Sequence, residues 1–109
     1  MTETEKKAAY DKKPVILPED ELFGQMMVSA VRYALGRMTY IVRTTTDYVT
    51  PLIPWLPYNA LRIIAEDIRK YDDFYDLGME CDRKRWIDLA NAIRAEMKER
   101  TEKFKNGRD

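Results

Sequence analysis

The stretch TYIVRTTTDYVT, Thr39 to Thr50, decides the fold class of this chain, because its composition and its spacing point different ways. Ile41, Val42, Thr44, Thr45, Thr46 and Val49 are β-branched, and each alone favours a strand. On a helix, however, Ile41, Thr45, Tyr48 or Val49, and Leu52 share one face. On a strand the alternate residues Ile41, Arg43, Thr45, Asp47 and Val49 would mix apolar, polar and charged groups on one side. Period outweighs propensity, so the segment reads as a helix, with Thr39 placed to cap its first amides.

Toward the N-terminus, Pro18 followed by Glu19, Asp20 and Glu21 marks another helix start, since proline presets the first turn and carboxylates complement the dipole. Leu22, Met26, Ser29 or Ala30, and Tyr33 recur at helical spacing. Phe23, Met27, Val31 and Ala34 broaden that face until Gly36 supplies a stop, near Leu35. Residues 1–17 read as a flexible arm whose Val15, Ile16 and Leu17 are apolar enough to pack on the domain or on a second copy.

Toward the C-terminus, Pro51, Pro54 and Pro57 form a rigid corner. A third helix starts near Tyr58 and carries Leu61, Ile64, Ala65, Ile68 and Tyr71, followed by an acidic, aromatic loop from Asp72 to Asp76 and Gly78. Asp82 is placed to cap a fourth helix bearing Trp86, Leu89, Ala90, Ile93, Met97 and Phe104, extending past Lys103. Arg83, Lys84 and Arg85 then oppose the dipole in its first turn, which reads first as a solvated helix start and otherwise as a cluster selected for another use. The expected architecture is all-α: a compact bundle of about four helices forming one domain over residues 18–105, an arm at 1–17 and a tail at 106–109. Trp55 and Trp86 are expected in its core.

Nineteen basic and nineteen acidic residues cancel, so no whole-molecule field draws in a nucleic acid, and direct nucleic-acid binding is disfavoured. The chain has no histidine and a single cysteine, Cys81, which removes the usual general base, the commonest metal ligand and any internal disulfide. Asp72, Asp73, Asp76 and Glu80, with Glu66 and Asp67, lack the alternation and central glycine of a calcium loop. No nucleophile–base pairing and no nucleotide-hydrolysing motif is visible, so the expectation is a non-enzymatic binding protein without metal or cofactor. The charged opening and the lack of a long apolar run point to a cytoplasmic protein with no membrane span.

Arg32, Arg37, Thr39, Tyr40 and Arg43 crowd the junction of the first two helices, where guanidinium groups and helix-opening amides are the ingredients of an anion site. Asp47 is four residues from Arg43 and placed to orient it, although such i,i+4 neighbours are most often plain surface ion pairs. Thr44 to Thr46 offer hydroxyls to a groove, or else to carbonyls of their own helix. Phe74 and Tyr75, set among aspartates, read as exposed anchors for a partner.

The segment Ala30 to Val42, with its Arg-Tyr-Ala-Leu-Gly-Arg core and the following Thr39-Tyr40, together with Asp47-Tyr48-Val49, resembles small proteins encoded by phages and mobile elements of Gram-positive bacteria. The likeness reaches weakly through Leu61, Asp67-Ile68 and Trp86, and Met38 stands where the pattern usually has a second arginine. The resemblance implies an anti-defence role: direct contact with a host defence protein such as a nuclease, in the manner of an anti-CRISPR protein, or sequestration of a nucleotide-like anion, with a phage accessory or structural role as a further possibility. A homodimer fits either use.

Overall fold

The structure is a computed structural model that describes the backbone of residues 18–106 and the side chains of residues 20–103. The arm at 1–17, with Val15 to Leu17, and residues 107–109 of the tail lie outside the described residues. Four α-helices and no strand occur among the described residues: α1 over Pro18–Ala34, α2 over Thr39–Val49, α3 over Tyr58–Phe74 and α4 over Glu80–Asn106. A 3-10 turn over Thr50–Trp55 joins α2 to the proline corner. α1 and α4 each pack on both α2 and α3, which closes one all-α bundle. At 27 residues, α4 is about 40 Å long and sets the 45 Å long axis of the molecule.

The β-branched segment is helical, as its period requires, but its buried line is Val42, Thr46 and Val49. Ile41 and Thr45 sit at the edge of that face and Tyr48 is exposed, so the face lies one residue further on than the spacing suggested. Thr46 is tolerated in the interior because its hydroxyl donates to the carbonyl of Val42 at 2.9 Å. Thr44 and Thr50 likewise bond back to Tyr40 and Thr46, so these hydroxyls serve their own helix.

In α1 the core takes the row that spacing treated as secondary. Met27, Val31 and Ala34 are buried and Phe23 is partly so, whereas Leu22, Met26 and Tyr33 face outward. Gly24 fixes this orientation: a β-carbon there would lie 3.0 Å from the Ala60 Cβ and 3.2 Å from the Pro57 ring, so α1 and α3 touch backbone to side chain. Gly36 ends the helix at a φ of 77°, a left-handed conformation that L side chains resist.

Three further expectations are corrected. Trp55 is 74 % exposed, while Trp86 is fully buried. The 3-10 turn aims Trp55 away from the bundle, and Arg100 of α4 holds that turn by donating to the carbonyls of Ile53 and Pro54 at 3.2 and 3.0 Å. α3 continues through Phe74 rather than giving way to a loop at Asp72, and α4 opens at Glu80, so Asp82 lies inside its first turn and does not cap it.

Candidate functional site

Two connections far apart in sequence meet at one end of the bundle: the α1–α2 turn, residues 35–38, and the α3–α4 loop, residues 75–79. Two contacts join them, and a third braces the α3–α4 loop from its flanking helices. The Tyr71 hydroxyl of α3 fills the space where Gly36 lacks a side chain. Thr39 donates its hydroxyl to the buried carboxylate of Asp82 at 3.0 Å, a use that replaces the expected cap, since α2 opens with no side-chain cap. Arg83 reaches back from α4 to both carboxylate oxygens of Asp72 at 3.2 and 3.3 Å.

Around this braced end the large apolar side chains stand in solvent. Phe74 is 78 % and Tyr75 70 % exposed, and Tyr33, Met38, Tyr40 and Met79 are exposed alongside them. Tyr75 leans on Tyr71 with ring centroids 5.0 Å apart. Arg37 lies over the Tyr33 ring, 4.8 Å from its centroid, and its Nε donates to the Tyr33 carbonyl at 3.1 Å. That stacking steers the guanidinium while leaving its terminal nitrogens without a carboxylate among the described residues.

The eight residues expected to bind are thus divided. Arg37, Tyr40, Phe74 and Tyr75 share this end. Arg32 turns toward α3, where its Nε bonds Asp67 at 2.7 Å. Thr39 is committed to Asp82. Arg43 is exposed on α2, and the expected Arg43–Asp47 pair does not form, because Asp47 bonds Arg85 of α4 at 2.9 Å instead. The pairing of Arg83 and Arg85 with Asp72 and Asp47 accounts for two of the three residues of the basic cluster near the start of α4: it ties α4 to α3 and to α2.

The geometry therefore separates the arginines that a nucleotide pocket would have to bring together. The groove between α1 and α3, about 440 Å³, includes Arg32 alone of the eight. A shallower hollow of about 160 Å³ between α2 and α4 includes Asp47 alone. The acidic residues are dispersed in the same way: Asp67, Asp72 and Glu66 pair with arginines, and Asp76 accepts from the Gly78 amide at 2.9 Å. No group of three or more His, Cys, Asp or Glu among the described residues is placed to hold a metal ion.

Sequence reasoning missed Tyr33, Met38 and Met79 as surface residues, and it placed Trp55 inside. A usable signal existed for Tyr33: α1 carries two apolar rows, and a surface helix buries only one. An exposed surface of Tyr, Phe, Met and Arg on a rigid base has the composition of a protein-contact patch, with aromatic anchors and a cation held in place. No protein-family model, curated protein or solved structure matches this chain.

Proposed function

We propose that this chain is a binding protein that works without catalysis, docking the turn–loop end of its bundle onto a partner protein. The observation that carries the reading is that Arg37, Tyr40, Phe74 and Tyr75 are all exposed at the bundle end braced by the Thr39–Asp82 bond and the Arg83–Asp72 pair. Rigid aromatic side chains lose little conformational freedom on binding, and bracing the backbone beneath them lowers that cost further. The partner belonging to this reading is a host defence protein, foremost a defence nuclease, on the resemblance read in the sequence from Ala30 to Val42.

The test is co-purification of the tagged full chain from bacterial cells carrying a nuclease-based defence system. A stoichiometric partner is expected. Arg37→Ala, and separately Phe74→Ala with Tyr75→Ala, are expected to release it, while Trp55→Ala at the opposite end retains it. Recovery of free protein only, or loss of the partner with Trp55→Ala alone, overturns the reading.

A further inference from the structure

α1 is apolar on two opposite sides. Its inner row, Met27, Val31 and Ala34, is in the core, yet its outer row is also apolar: Leu22 is 58 %, Met26 56 % and Tyr33 60 % exposed. A helix with apolar residues on both sides is one that is covered on both. We propose that a second copy of this chain covers the outer row, with the two α1 helices packed antiparallel about a two-fold axis.

The spacing of the row selects this occupant and this direction. Read along the helix, the outer face runs Leu22, Met26, Ser29 with Ala30, and Tyr33: large, large, small, large. The antiparallel register that sets Leu22 against Tyr33 of the partner subunit also sets Met26 over Ser29 and Ala30 of the partner subunit. Each large side chain then meets either a complementary surface or a gap left by small residues, and one patch serves both copies, as an isologous contact requires. A parallel pair would stack Met26 on its own counterpart and leave the small residues facing one another. The helix dipoles also run in opposition in this arrangement.

The other occupant to weigh is the chain preceding Pro18. Its apolar triplet Val15, Ile16 and Leu17 adjoins α1 directly, and Tyr33 lies about 22 Å further along the helix. Reaching Tyr33 would lay Asp11, Lys12 and Lys13 across an apolar row. A single helix face is smaller than the roughly 1,200–2,000 Å² that a stable interface buries, so the association is concentration-dependent. It uses Tyr33, which borders the turn–loop end, but none of Tyr40, Phe74 and Tyr75, and it points the two turn–loop ends in opposite directions, making the assembly bivalent.

Disulfide trapping in a Cys81→Ser background tests the register. Leu22 and Tyr33 are about 16 Å apart along one helix, too far for an internal bridge. The double variant Leu22→Cys with Tyr33→Cys is expected to oxidise to a covalent dimer at least about tenfold more completely than either single variant, because antiparallel packing holds each position away from its own counterpart. In the full chain without added cysteines, sedimentation across a concentration series is expected to show a dimer. Met26→Glu is expected to weaken it more than about tenfold while leaving the thermal midpoint of dilute, monomeric protein unchanged. Monomer at every concentration, equal trapping by the single variants, or no trapping by the double variant overturns the proposal. A fall in the monomer's thermal midpoint with Met26→Glu also overturns it, since the outer row would then be covered from within the same chain.

Discussion

Gly36 meets two demands at once, a left-handed backbone with φ of 77° and a vacancy that the Tyr71 hydroxyl fills. Gly36→Ala is expected to destabilise the protein by about 2 kcal/mol or more, combining about 1–2 kcal/mol of backbone strain with the steric conflict. In a Tyr71→Phe background the same substitution is expected to cost less, because the nearest contact, the hydroxyl, is gone and the remaining conflict is with ring carbon Cζ at 2.8 Å; a double-mutant cycle by urea denaturation reads the difference. Thr39 poses a different question at the same scale. Its hydroxyl is the donor to the buried Asp82 Oδ2. Thr39→Val is expected to lower stability by about 1–3 kcal/mol by leaving that oxygen unpaired, whereas Thr39→Ser retains most of it. Equal losses for the two variants would show that packing of the methyl group, and not the hydrogen bond, is what matters. The glycine stop was legible in the sequence because helix termination is local. Asp82 as the partner of Thr39 was not, because the two are 43 residues apart.

The helices themselves were legible almost in full, since Pro18, Gly36, the three prolines and the three-four periodicity are local signals that each segment carries alone. Which side of each helix turns inward was less so. In α1, Leu22 and Met26 are as apolar as Phe23 and Met27, and nothing within the helix ranks one row above the other. The choice is made by α3, whose Ala60 and Pro57 admit only the glycine-bearing side. Gly24→Ala is the corresponding prediction. Alanine gains about 1 kcal/mol of helix propensity over glycine, but a new Cβ 3.0 Å from that of Ala60 meets atoms with no rotamer to escape into. A net loss of about 1 kcal/mol is expected in denaturant unfolding; a stabilised variant would show that the α1–α3 contact yields easily.

A single core spans the helices, running from Met27 in α1 through Val42, Leu61 and Ile68 to Trp86 and Ile93 in α4. Unfolding is therefore expected to be one cooperative transition. In a Trp55→Phe variant Trp86 is the remaining indole, and its fluorescence should share one urea midpoint with the far-UV helical signal; separated midpoints would mean that α4 detaches before the other helices. Trp55→Phe itself should leave stability within about 0.5 kcal/mol, because Trp55 is 74 % exposed. The amino-acid sequence by itself determined the helical class, the number of helices and their approximate limits, because backbone period, proline and glycine act within a few residues. It also marked Arg37, Tyr40, Phe74 and Tyr75 as candidates by residue type. Only the tertiary structure decided that these four share one end, that Asp47 answers Arg85 rather than Arg43, and that Trp55 faces out. Such pairings join residues from different helices, and their partners are set by how the helices pack against one another, which no local pattern encodes.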